Sequence, residues 1–224
     1  MMTHTLVTRA RVLVLLAAAL LGGPVPALGQ VREPPGPVAV DARVALPRFK
    51  ENVSVASALG VDSATLPGRG LGLVFGAHWY PLRARAVTLG LGGEVLVSRG
   101  SRAPDVDDEA EPPPAAGPDV STRFSSVSPQ LSLNFGSNRG WSYLTGGLGW
   151  GAFRTERADM PVTPAESRPR VVNYGGGARW FAKEHVAFAL DLRFYAIAAQ
   201  EAAQGRPAYP SQTLMVFSAG VAFK

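Results

Sequence analysis

The run VAFALDLRFYA, from Val186 to Ala196, constrains the chain more than any other stretch. Val186, Phe188, Leu190, Leu192, Phe194 and Ala196 share one parity, while Ala187, Ala189, Asp191, Arg193 and Tyr195 share the other. Strict alternation over this length means a strand, because successive side chains point to opposite faces. A soluble sheet would turn its large apolar groups inward and its charges to water. A membrane barrel does the reverse, with grease facing lipid and polar groups facing a lumen.

Seven further segments repeat the pattern. The first, about Val38 to Leu46, puts Asp41 and Arg43 on its polar parity. The second, about Gly70 to Tyr80, opposes Leu71, Leu73, Phe75 and Trp79 to Gly72, Gly76 and His78. The third, about Val87 to Ser98, carries Glu94 among Thr88, Gly90 and Gly92. The fourth, about Phe124 to Phe135, sets Gln130 among Ser126, Ser128, Ser132 and Asn134. About Trp141 to Phe153, Val171 to Phe181 and Thr213 to Phe223 complete the set around the opening run. The greasy parity holds no mid-strand charge. The other parity is Gly, Ala, Ser, Thr and Asn with isolated charges of both signs. With only three lysines, Lys50, Lys183 and Lys224, there is little from which to build a solvated exterior. The expected fold is therefore all-β: an eight-stranded antiparallel up-and-down transmembrane β-barrel, whose narrow interior is filled by side chains.

The connections alternate in length. Tight turns are expected at Tyr80 to Arg85, Gly136 to Gly140 and Ala182 to His185. Long loops are expected at about Pro47 to Arg69, Arg99 to Ser121, Arg154 to Arg170 and Ile197 to Gln212. Short turns belong to the periplasmic end and long loops to the cell surface. Trp79, Tyr80, Phe135, Trp141, Tyr143, Trp180, Phe181 and Phe223 lie near the turns, where an aromatic belt at the membrane interface is expected.

The N-terminus reads as an export signal over residues 1–29. Arg9 and Arg11 precede an apolar run from Val12 to Leu21, too short to span a membrane, and Ala27-Leu28-Gly29 supplies small residues for cleavage before Gln30. Residues 30–37 form a short extension and 38–224 the barrel. The chain has no cysteine, which argues against a lipoprotein or a disulfide scaffold. The net charge of +5 is carried by dispersed arginines, and export argues against nucleic acid as a partner.

An even-sum register between the sixth and seventh segments sets Gly177 opposite Asp191 and makes Arg179 a diagonal neighbour of Asp191. Together with Asp41, Arg43, Glu94, Gln130 and Arg193, these form the expected polar network of the lumen, since unpaired charge in a tight interior is costly. The competing reading leaves some of these charges wet at the barrel mouths.

The stretches SPQLSLNFG, WSYLTGGLGWGAF, YGGGARWF followed by VAFALDLRFY, and VFSAGVAF resemble the small eight-stranded outer-membrane barrels of OmpA/OmpX type. The resemblance covers nearly all of the mature chain and implies residence in the bacterial outer membrane. It also implies contact with outer-membrane lipid and recognition by the barrel assembly machinery of an aromatic at the end of the last strand, here Phe223 in the penultimate place before Lys224.

No constellation points to catalysis, a cofactor or a metal. Of the histidines, His4 is in the signal, His185 in a turn, and His78 on the inward parity, away from any lipid substrate. The glycine clusters GRGLGLVFG and GGLGWG precede no helix pattern, so a nucleotide loop is not expected. Asp105, Asp107, Asp108, Glu109 and Glu111, before a proline run, read as a solvated surface loop. The expectation is a monomeric, non-enzymatic barrel with a structural or cell-surface role, open to an extracellular ligand through its long loops. The alternatives are a narrow pore, a lipid-modifying barrel enzyme and a soluble periplasmic lipid-binding barrel.

The assigned faces generate a prediction. Leu190→Arg should strongly impair membrane insertion, because arginine at mid-bilayer on the lipid face costs about 2–4 kcal/mol. Ala189→Ser, on the lumen face, should assemble nearly as the parent does. Equal yields of folded protein from the two variants would reverse the assignment.

Overall fold

The computed structural model describes residues 36–84, 87–103, 117–137, 139–160, 168–202 and 207–224. The expected signal segment and the acidic stretch Asp105 to Glu111 lie outside these residues.

Eight strands close into one antiparallel barrel, each bonded to the next in sequence and the last to the first. They are β1 (Val38–Arg48), β2 (Leu71–Ala84), β3 (Val87–Arg102), β4 (Val120–Ser137), β5 (Gly140–Arg157), β6 (Arg170–Phe181), β7 (Val186–Ile197) and β8 (Gln212–Phe223). Closure runs from Val40 opposite Phe223 to Arg48 opposite Met215. No strand edge is left over, as a hydrocarbon environment demands, since no water is there to satisfy free N–H and C=O groups.

The alternation seen in the sequence has the inverted sense. Phe188 is 63 % exposed and Leu192 42 %, whereas Asp191 is 3 % and Arg193 1 % exposed. Around the barrel Leu71, Phe75, Val127, Leu131, Leu148, Trp150 and Trp180 all stand outward and exposed. A continuous apolar wall of this kind marks a surface that meets something other than water. Tight packing inside follows from glycines set opposite large groups. Gly177 lies opposite Asp191, and Gly220 opposite Arg43.

Three expectations about the elements change. The strands β3, β4 and β5 run further toward the long-loop end than the sequence suggests. Their 16, 18 and 18 residues include Arg99 and Arg154, which the sequence pattern places at the starts of loops, and Arg123, which it leaves outside the strand. At about 3.4 Å per residue and a tilt near 45°, 18 residues rise about 43 Å, well beyond an apolar band about 25 Å tall. The polar outward residues of this extension obscured the pattern, but the ladder continues, and Thr122 and Thr155 share a hydrogen bond of 3.1 Å inside it. At the other end, the turn expected from Tyr80 begins only after Ala84, because β2 continues past a register shift between Trp79 and Leu82.

The third change is a short helix, α1 (Val53–Leu59), followed by a 3-10 turn at Ser63–Thr65, in the connection expected to be plain loop. Asn52 caps α1 by accepting from the Val55 amide at 3.2 Å, and Gly60 ends it in the left-handed conformation, φ 65°. The seven-residue VSVASAL is too short and too β-branched to signal a helix by itself. Its burial against the barrel, through Val55, Ala56 and Leu59, is what holds it. Arg157 donates to the Leu59 carbonyl at 2.6 Å and ties the helix to β5.

A Cβ added at Gly177 would lie 2.5 Å from the Tyr143 hydroxyl, inside the barrel. Gly177→Val should therefore lower the fraction that refolds to the form migrating anomalously on unboiled gels. Ala178→Val, one residue along and facing outward, should fold as the parent does.

Candidate functional site in the barrel lumen

The inward face is built in three layers. At the long-loop end an apolar cluster joins Phe49, Val55 and Leu59 to Phe124, Phe153, Tyr195, Ile197 and Tyr209. Its rings meet edge-on, with Phe49 and Phe153 centred 6.1 Å apart and Phe153 and Tyr209 5.6 Å apart. At the short-turn end Ala39, Tyr80, Trp141 and Tyr143 form a second cluster, against which Phe181 packs. Trp141 stacks on Phe181 at 5.1 Å and meets Tyr80 edge-on at 5.9 Å.

Between them lies a charge cluster drawn from four strands. Arg43 of β1 is its hub. Its Nε donates to Asp41 Oδ1 at 2.8 Å, its Nη2 to Glu94 Oε2 at 2.6 Å and its Nη1 to Ser218 Oγ at 3.2 Å. The same Nη1 lies 3.2 Å from Asp191 Oδ2. Arg193 grips Asp191 with Nε and Nη2, at 3.1 and 2.9 Å, and stands 3.3 Å from Glu94. Arg179 donates to Asp41 Oδ2 at 2.5 Å and to the Tyr80 hydroxyl at 3.3 Å. Three guanidiniums thus face three carboxylates, and all six side chains are buried. Equal numbers of opposite charges, each held by directional hydrogen bonds, are the condition under which such burial is tolerated.

Tyrosines join the layers. Tyr195 belongs to the apolar cluster and donates to Glu94 Oε1 at 2.6 Å. Tyr143 belongs to the aromatic cluster and donates to Asp191 Oδ2 at 2.9 Å. Arg179 lies over the Tyr143 ring, 4.5 Å from its centre, a cation–π arrangement.

Of the residues expected in the network, Asp41, Arg43, Glu94, Arg179, Asp191 and Arg193 come together. Gln130 does not join them; its Nε2 donates to Asn173 Oδ1 at 3.2 Å in a separate amide pair. Gly177 does stand opposite Asp191, but Arg179 pairs with Asp41 instead of its diagonal neighbour. The closed barrel brings β1 across from β6, a contact that pairwise register does not contain. Asp191 is meanwhile taken by Arg193, Arg43 and Tyr143.

The aromatic belt also divides. Trp79, Trp180 and Phe223 face outward and are exposed, while Tyr80, Trp141 and Tyr143 are buried inside. Tyr80 shares the parity of His78, and Tyr143 that of Thr145. That alternation was the signal for their inward direction, and the preference of aromatics for interfaces hid it. His78 is buried and stacked beside Tyr80, and neither ring nitrogen has a hydrogen-bond partner among the described residues.

No protein-family model and no curated protein matches the chain. Among solved structures it is similar to Neisserial surface protein A (NspA), with 14 % identity and a TM-score of 0.52 over 84 % of this chain and 97 % of that one. It is also similar to Ail of Yersinia pestis in complex with the heparin analogue sucrose octasulfate, with 13 % identity and a TM-score of 0.48 over 83 % of this chain and 96 % of that one. The outer membrane protease OmpT of Escherichia coli matches with 8 % identity and a TM-score of 0.43 over 84 % of this chain and 97 % of that one. At such identities the likeness is one of fold. The chain has the fold of the small outer-membrane β-barrels of OmpA/OmpX type. A closed antiparallel barrel with an apolar exterior and a polar interior is a transmembrane barrel, at home in the bacterial outer membrane.

Among the described residues Asp41 is the sole carboxylate bound by Arg179 and one of three beside Arg43. Asp41→Ala should destabilise the barrel by about 3–5 kcal/mol, the effect of stranding buried charge. Ser218→Ala removes only a neutral acceptor from Arg43 and should cost about 1 kcal/mol. Reversible urea unfolding of both variants in the same lipid environment measures the difference.

Proposed function

We propose that this protein is a non-conducting outer-membrane barrel whose work is done at its outer surfaces, with the sealed lumen acting as a scaffold. The observation that carries this reading is the hub at Arg43, which links β1 through the interior to carboxylates on β3 and β7, strands that it does not adjoin. An eight-stranded barrel has room for little more than its own side chains. Here that room holds an ionic cluster with apolar and aromatic layers on either side of it, and a solute would have to pass all three. The capped helix α1 and Tyr209 close the long-loop end further. Export through the N-terminal signal, assembly by the barrel machinery and a monomeric state belong to the same reading.

A narrow pore is the second reading. It draws support from the polar side of the wall, where His78, Ser128, Thr145 and Asn173 each carry a buried polar atom with no hydrogen-bond partner among the described residues. That wall stands in series with the charge cluster, which favours the sealed form. Catalysis on lipid finds less support: His78 faces the lumen, and neither of its ring nitrogens hydrogen-bonds a hydroxyl among the described residues that it could activate as a base.

Planar bilayers separate the two readings. The purified barrel should insert without steady current under an applied potential. Sustained openings of uniform size in the wild-type protein would establish the pore and remove the sealed-scaffold reading.

A further inference from the structure

The outer wall carries a feature that neither the lumen nor the loops explain. Arg99 of β3, Arg123 of β4 and Arg154 of β5 stand on one hydrogen-bonded rung, Arg99 opposite Arg123 and Arg123 opposite Arg154. All three share the outward parity. Like charges directly opposite one another on adjacent strands repel. Arg154 is relieved by Glu156 at 3.1 Å, but no carboxylate among the described residues pairs with Arg99 or Arg123. Strands about 4.8 Å apart set the three backbone positions within about 10 Å of one another, well within the reach of arginine side chains.

The next outward rung toward the membrane is Val97, Ser125 and Ala152, and the one below it is Val95, Val127 and Trp150. Small groups at Ser125 and Ala152, beneath arginines and above a tryptophan, leave a groove of about 710 Å³ on the outer wall. Arg168, from the connection before β6, lines the same groove. The floor is thus apolar and the extracellular lip cationic.

We propose that this shoulder of the β3–β4–β5 wall binds a phosphorylated lipid of the outer leaflet, its phosphates on Arg99 and Arg123 and an acyl chain in the groove. Planar guanidiniums match phosphate oxygens in a bidentate way. An anion placed between the two strands converts their repulsion into attraction. The ladder lies at the extracellular edge of the apolar wall, where a lipid headgroup sits, and the groove runs from it along the lipid-facing surface. This site does not depend on whether the lumen conducts.

Native mass spectrometry of the refolded barrel in detergent tests the assignment with four probes. These are bisphosphorylated lipid A, the same lipid stripped of phosphate, inorganic phosphate, and the acyl-free polyanion sucrose octasulfate. The wild-type protein should retain the phosphorylated lipid roughly tenfold better than the stripped one, the scale of a charge-assisted contact. The double variant Arg99→Gln/Arg123→Gln should lose that preference, and Ala152→Trp, which fills the groove, should weaken retention. Lys183→Gln, in a turn at the opposite end, should bind as wild type. Gel migration with and without boiling confirms that each variant is folded. Equal retention of the two lipids, or an unchanged preference in the double variant, would overturn the proposal. So would sucrose octasulfate or inorganic phosphate binding as tightly as the lipid, which would make the ladder a site for soluble anions.

Discussion

Strand β1 carries both things on which this structure depends. Its two edges bond to β2 and β8, and that second pairing turns a sheet into a cylinder. Its inward side chains, Asp41 and Arg43, reach across the interior to β3, β6 and β7 and hold the charge cluster together. The two roles support each other. In hydrocarbon an open edge would strand a row of backbone donors and acceptors, so closure is obligatory. Closure creates an interior with little water, so any charge within it must be matched. The hub at Arg43 makes that match across the bore, and no two adjacent strands could make it alone.

The cost of burying six charges is large, and their mutual attraction repays it only when geometry is good and the remaining hydrogen-bonding capacity is used. The tyrosines supply part of that. Tyr195 and Tyr143 each give a hydroxyl proton to a carboxylate while their rings pack into the apolar layers above and below. Polar and apolar layers are therefore coupled by single side chains. Glycine makes the arrangement possible from the other side. Opposite Asp41, Arg43 and Asp191 stand Gly76, Gly220 and Gly177, which give long side chains the width of a narrow barrel to cross.

The two surfaces of the wall divide the chemistry between them. Inside, every guanidinium of the cluster has a carboxylate, so the lumen is electrically closed. Outside, at the extracellular edge, Arg99 and Arg123 stand side by side with no carboxylate partner among the described residues. An inward arginine is thus a structural element and an outward one a potential contact, the inward set lying on β1, β6 and β7 and the outward set on β3, β4 and β5. The extension of β3, β4 and β5 carries the arginine rung beyond the apolar side chains of the outer wall, while α1 packs Val55, Ala56 and Leu59 inward at the same end.

Parity alone made much of this legible. The alternation in VAFALDLRFYA and its seven companions determined the strand count, the face turned to lipid and the inward placement of Asp41, Arg43, Glu94, Arg179, Asp191 and Arg193. A period of two is a local property of the backbone, and hydrocarbon allows only one sense for it. What parity could not supply was anything that depends on the far side of the cylinder. Arg179 finds Asp41, 138 residues away, rather than its diagonal neighbour Asp191. Tyr80, Trp141 and Tyr143 turn inward to fill space between walls rather than outward to an interface. Gln130 meets Asn173 and not the ions. VSVASAL becomes a helix because the barrel mouth offers Val55 and Leu59 an apolar seat. Each of these was decided by closure, which sets strands distant in sequence face to face across a narrow bore and lets distance, rather than order along the chain, choose the partners.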